Sequence, residues 1–114
     1  MHKRITFRNM DHSDVMEEYA NEQLAKVINF LEHERTPIYI DLVLEPSKIH
    51  AHHRVELRVK SPQYDLISNY EGTDLYAVLD RVIDVMYEEL HEQKRREVDE
   101  RKTRGRHEEF KKQR

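Results

Sequence analysis

Two stretches decide the fold: Ile38-Tyr39-Ile40-Asp41-Leu42-Val43-Leu44-Glu45 and Arg54-Val55-Glu56-Leu57-Arg58-Val59-Lys60. In the first, Ile38, Ile40, Leu42 and Leu44 alternate with Tyr39, Asp41, Val43 and Glu45. In the second, Val55, Leu57 and Val59 alternate with Arg54, Glu56, Arg58 and Lys60. Successive side chains of a strand point to opposite faces of its sheet, so this period of two predicts strands with one buried and one wet face. Glu45-Pro46-Ser47-Lys48 reads as a turn, and Ser61-Pro62-Gln63 turns the chain again. Residues 64–70 then make a shorter strand whose inward face carries Leu66, with Ser68 and Tyr70. Three strands joined by short connections predict an antiparallel meander.

Upstream, Ile5 and Phe7 alternate with Arg4, Thr6 and Arg8 in a further strand. Ser13 is placed to cap a helix, because its hydroxyl can accept an orphan amide. Asp14, Glu17 and Glu18 follow, where the helix dipole favours negative charge. Met16, Ala20, Leu24, Val27, Ile28 and Leu31 recur every three or four residues, which predicts an amphipathic helix over 14–31. Pro37 ends any helical tendency. Downstream, Gly72 reads as a flexible joint and Thr73 as a cap for a second helix striped with Leu75, Leu79, Val82, Ile83, Met86 and Leu90. Beyond Leu90 the stripe stops, with only Val98 and Phe110 apolar. Continued to Arg104, this helix would run about 46 Å and project past the body. Gly105 is its expected stop, and the last ten residues are expected to be disordered when unbound.

The expected fold class is therefore α+β in the order β-α-β-β-β-α, a four-stranded sheet with both helices on one face. The 114 residues suit one domain, divided into a body over 1–92 and a charged extension over 93–114. No cysteine is present, which removes disulfides, thiolate nucleophiles and cysteine-based zinc sites. The apolar runs fall far short of a membrane span, and the first residues lack the apolar centre of a signal peptide, so a cytoplasmic address is expected. The net charge of −3 hides an asymmetry. His91–Arg114 holds 10 Lys+Arg against 6 Asp+Glu, while Met1–Leu90 holds 10 against 17. An acidic body with a basic tail points to a polyanionic partner.

Tyr70-Glu71-Gly72-Thr73-Asp74-Leu75-Tyr76-Ala77-Val78-Leu79-Asp80 resembles the start of the second helix in the ribosome hibernation promoting factor family, which includes ribosome-associated inhibitor A. Ile5-Thr6 and Leu24-Ala25-Lys26 are similar as well, and the order of elements agrees over about residues 2–95. The resemblance, to the short form, implies a protein that occupies the decoding region of the small (30S) ribosomal subunit. It would block mRNA and tRNA there and inhibit translation under stress, in the stationary phase among other conditions. The chain departs from the family at Val85, Glu88 and Glu92, where members generally carry Lys or Arg. Lost phosphate contacts weaken RNA affinity and its salt dependence together. Either the basic contact has moved into the tail, or the partner surface differs.

The candidate RNA-binding residues fall into three groups. Arg4, Arg8, Arg54, Arg58 and Lys60 lie opposite the core positions of their strands, with Tyr39 beside them to stack on a base. Asp41, Glu56 and Asp65 would balance them if the face were merely solvated. Lys94, Arg95, Arg96, Arg101, Lys102, Arg104 and Arg106 form the densest basic cluster, diluted by Glu97, Asp99 and Glu100. Lys26 comes from the resemblance. His50-Ala51-His52-His53 invites a metal reading, but a strand turns His53 away from the other two and nothing nearby completes a tetrahedral set. Asp74, Asp80 and Asp84 read as dipole placement and solvation. With two glycines and no phosphate loop, the expectation is a binding protein without enzymatic activity, cofactor, metal, membrane or small-molecule substrate. The alternatives are a general structured-RNA-binding module, or a protein-interaction adaptor whose acidic second helix docks a basic partner. The eight histidines would move the net charge from −3 to at most +5 if all were protonated, so acidification could tighten RNA binding. The oligomeric state of the protein and its effect on ribosome pairing are not fixed by these residues.

Overall fold

The computed structural model describes residues 1–46 and 52–112, with side chains described as far as residue 102. Its elements are β1 (His2–Phe7), α1 (Asp14–Leu31), β2 (Tyr39–Glu45), β3 (His53–Lys60), β4 (Asp65–Gly72) and α2 (Leu75–Lys112). The four strands form one sheet in the order β1-β2-β3-β4. β1 runs parallel to β2, as a strand-helix-strand crossover requires, and the remaining pairs are antiparallel. This is the expected α+β order.

α1 covers the residues its apolar spacing predicts. Ser13 caps it, with the Met16 amide donating to its hydroxyl at 3.3 Å. Met16, Ala20, Leu24, Val27 and Leu31 face Ile40, Leu42 and Leu44 of β2 and Val55, Leu57 and Val59 of β3, all buried in one core. From α2, Val78, Leu79, Val82, Ile83, Met86 and Leu90 complete it. Fully burying one such side chain stabilises by about 1.5–3 kcal/mol, so the layer of two helices over one sheet face is the dominant favourable contribution.

Four local expectations are corrected. Asp74, not Thr73, caps α2: its carbonyl accepts from the Val78 amide at 2.9 Å and its carboxylate from the Tyr76 amide at 3.1 Å. Gly72 is no flexible joint. It ends β4 in an ordinary backbone conformation, and a Cβ there would lie 2.7 Å from Val78 Cγ2, so the glycine serves a close approach of strand to helix. Tyr64 precedes β4 instead of opening it. Its ring, 2% exposed, is a core member, positioned by a turn in which the Gln63 and Tyr64 amides donate to Ser61 Oγ. Finally α2 passes through Gly105 and reaches Lys112 as one helix. Glycine inside a helix costs only about 1 kcal/mol relative to alanine. Among the described residues Leu90 is the last buried one of α2, and the helix that continues past it stretches the molecule to 69 × 25 × 18 Å. Among the described residues no helix is long and apolar enough to cross a membrane.

Candidate nucleic-acid interface

The sheet leaves one face uncovered, and the strand register fixes which side chains meet there. His2, Tyr39, Lys60 and Asp65 form one cross-strand row, and Arg4, Asp41, Arg58 and Ile67 the next. Thr6, Val43, Glu56 and Asn69 follow, then Glu45, Arg54 and Glu71. Arg8 continues past the end of β1, its amide donating to the Leu44 carbonyl at 2.9 Å, in a shallow depression with Val43, Glu45, Arg54 and Glu56. The five predicted cations of this face are thus together. They are interleaved with Asp41, Glu45, Glu56, Asp65 and Glu71, so the face has no net formal charge. Arg58 reaches Asp65 at 3.3 Å. The aromatic element is real: Tyr39 is half exposed and stacks on the His2 ring at 5.0 Å, nearly parallel. Such a flat step suits base stacking more than phosphate attraction does.

The helical layer treats its cations differently. Lys26 is paired with Asp84 of α2, and its ammonium lies 5.2 Å from the Tyr87 ring centroid. Lys94 donates to Glu34 Oε1 at 2.7 Å and lies over Phe30. Arg96 pairs one turn back with Glu92 at 2.7 Å. Arg95, Arg101 and Lys102 are exposed and, among the described residues, take part in no ion pair. The departures Glu88 and Glu92 are exposed on α2, whereas Val85 is half-buried.

Several contributors carry no signal in the sequence. Asp80 is not merely solvated, because Tyr19 of α1 donates its hydroxyl to both carboxylate oxygens, at 2.7 and 2.9 Å. That hydrogen bond, helped by burial and the negative charge of Asp80 and Asp74, pushes the Tyr19 phenol up to about 12. Burial, then Glu34 and Glu97, pushes the Tyr64 phenol up to about 12 against an opposing pull from Arg101. The Tyr64 hydroxyl has no hydrogen-bond partner among the described residues. His91 packs its ring against Phe30 at 4.7 Å and Tyr87 at 4.4 Å, between the two helices.

His50 and Ala51 lie outside the described residues, so the histidine run is seen only from His52, with His53 opening β3. The described residues do gather His12, Asp14 and Glu17 at the start of α1. His12 uses one ring nitrogen toward Asp14, at 3.3 Å, and the other toward Glu17, at 2.5 Å. The ring therefore bridges two exposed carboxylates instead of joining them around one point. This is a solvated helix start, with nothing that points to an ion.

Residues 4–98 match the protein-family model described as Sigma 54 modulation protein / S30EA ribosomal protein. Among solved structures, the Thermus thermophilus Protein Y N-terminal domain is similar at a TM-score of 0.64 with 23% identity, covering 79% of this chain and 96% of that one. A ribosomal subunit interface protein from Coxiella burnetii is similar at a TM-score of 0.64 with 22% identity, covering 82% and 98%. No curated protein matches the chain at a significant level.

Proposed function

Because the chain belongs to the Sigma 54 modulation protein / S30EA ribosomal protein family, we propose that it binds the small ribosomal subunit at the decoding region and inhibits translation by blocking mRNA and tRNA. The observation that supports this most is the family match over residues 4–98, which takes in α1, β2 to β4, most of β1, and α2 as far as Val98. On this reading the protein is a cytoplasmic binding factor and not an enzyme. Its hibernation role rests on occupancy of a channel, which needs shape and charge and no reacting group.

The candidate contacts divide by how free they are. Arg95, Arg101 and Lys102 on the projecting part of α2 meet phosphates first, since among the described residues no carboxylate holds them. Lys26, Lys94 and Arg96 engage only by leaving Asp84, Glu34 and Glu92. Arg4, Arg8, Arg54, Arg58 and Lys60 act with Tyr39, reading shape and a stacked base on a face without net charge. Three free cations predict a shallow salt dependence for a polyanion binder, with a slope of about −2 to −3 in log affinity against log salt.

The test is sedimentation of the purified protein with ribosomes through sucrose gradients at about 100 and 500 mM salt, a range over which phosphate contacts are strongly weakened. Co-migration with the small subunit at low salt, lost at high salt, is the expected result. No co-migration at either salt would overturn the proposal, with Glu88 and Glu92 as the physical reason.

A further inference from the structure

The open sheet face is neutral as a whole but not along its length. The two rows at its Tyr39 end hold Arg4, Arg58 and Lys60 against Asp41 and Asp65. The far end holds Arg8 and Arg54 against Glu45, Glu56 and Glu71. The positive share therefore lies at the Tyr39 end. The same end carries the His2–Tyr39 step and, beside it, a depression of about 470 Å³ walled by His2, Tyr39, Arg4 and Asp41. That volume is within the range of small-ligand sites and suits one base with its sugar.

Asp41 is the unexpected member of this end. A surface built for phosphates alone has no use for a carboxylate, which repels them. Strand register sets Asp41 between Arg4 and Arg58, yet it forms an ion pair with neither. Arg58 turns to Asp65 instead. Asp41 Oδ1 is shielded from water and has no hydrogen-bond partner among the described residues. A shielded oxygen without a donor is costly to keep. The torsion of a carboxylate is broad, so the group can turn an oxygen into the depression at little cost. An ionised carboxylate only accepts, so it selects a ligand group that donates.

We propose that this end of the sheet is a pocket for one unpaired base of single-stranded RNA that carries an exocyclic amino group. The base stacks on the His2–Tyr39 step, and its amino group donates to Asp41. Arg4 and Lys60 flank this position, unpaired among the described residues, and meet the neighbouring phosphates. Of the pyrimidines, cytosine fits, because its N4 amino group donates where uracil presents the O4 carbonyl. The pocket rests on the RNA-binding reading of this face, and Asp41 becomes its specificity-determining residue. The basic part of α2 meets phosphates whatever the base, so it adds affinity without such a preference.

Binding of labelled pentacytidylate and pentauridylate to the full chain, followed by fluorescence anisotropy at about 50 mM salt without ribosomes, tests this. The cytidine strand should bind about fivefold tighter or more. Asp41→Asn, whose amide donates as well as accepts, should bring the two strands within about twofold of each other. Tyr39→Ala should weaken the cytidine strand about tenfold, while Tyr39→Phe, which keeps the ring, should bind as the wild type does. Absence of binding, equal affinity for both strands, a preference that survives Asp41→Asn, or an affinity unmoved by Tyr39→Ala would each overturn the proposal. A chain that co-sediments with the small subunit but shows no cytidine preference loses the pocket and keeps the ribosome reading.

Discussion

Lys94 and Glu34 should not be equally costly to replace, although they form one ion pair. Glu34 Oε1 accepts from Lys94 at 2.7 Å, with the Glu34 side chain only 8% exposed and that of Lys94 48% exposed. Lys94→Met keeps helix propensity and most of the aliphatic packing over Phe30, but leaves a nearly buried carboxylate without its cation. An orphaned, charged, buried acceptor costs about 2 kcal/mol, less than a fully buried pair because water still reaches one side. Glu34→Gln instead releases an ammonium that is already half in water, at about 0.5 kcal/mol. For a chain of this length these correspond to drops in Tm of about 8 °C and about 2 °C. Thermal unfolding followed by circular dichroism measures both. A double-mutant cycle isolates the coupling. Equal losses, or a larger loss for Glu34→Gln, would show that the burial of Glu34 does not set the energetics, and the reasoning would fail. Glu34→Gln carries a functional corollary: it frees Lys94, so affinity for ribosomes should rise while stability falls slightly.

Three further outcomes are expected. Gly72→Ala drives a methyl group against Val78 and should cost about 1–3 kcal/mol in chemical denaturation, whereas a flexible-joint role would make it nearly neutral. Asp74→Ala should lose about 1 kcal/mol of stability while Thr73→Ala loses almost none, because the carboxylate of Asp74 holds the Tyr76 amide. Tyr19 and Tyr64 bind their phenolic protons more tightly folded than unfolded, from an ordinary 10 to about 12. Their contribution is therefore complete below pH 10 and lost as pH rises from about 10 to 12. Tyr64→Phe should flatten the loss of stability over that window in pH-dependent denaturant melts, and an unchanged curve would remove Tyr64 as a cause.

Where the chemistry was periodic, the sequence could be read directly. Met16 through Leu31 sit on one stripe, and the structure forms α1 over the same residues. The alternation around Val55, Leu57 and Val59 likewise placed Arg54, Arg58 and Lys60 on the open face. Contacts across elements were not legible, since no local pattern says that Tyr19 will meet Asp80 or that Lys26 will meet Asp84, far apart in the chain. Asp41, Glu56 and Asp65 could be read as a balance for the sheet-face cations, but Glu45 and Glu71, which complete the neutrality, escaped for the same reason: strand register, not sequence proximity, sets them on either side of Arg54. Tyr64 was misjudged because a turn, not the strand, aims its ring inward. Thr73 and Asp74 are both good caps, and only the position of the first helical hydrogen bond separates them. Gly105 was read as a stop from its composition alone, yet a single glycine is a weak breaker.

One feature of α2 bears on how such a molecule finds its target. The helix is anchored to the core up to Leu90, is tied once more to the body by Lys94 at Glu34, and continues to Lys112, about 27 Å past Lys94. A swing of only about 10° past Lys94 would carry the tip about 5 Å sideways, leaving the core contacts in place. The charged tip thus samples a patch about 10 Å across, well away from the body. Its reach is set by rod length, so adding or removing a turn past Leu90 would retune encounter without touching the fold.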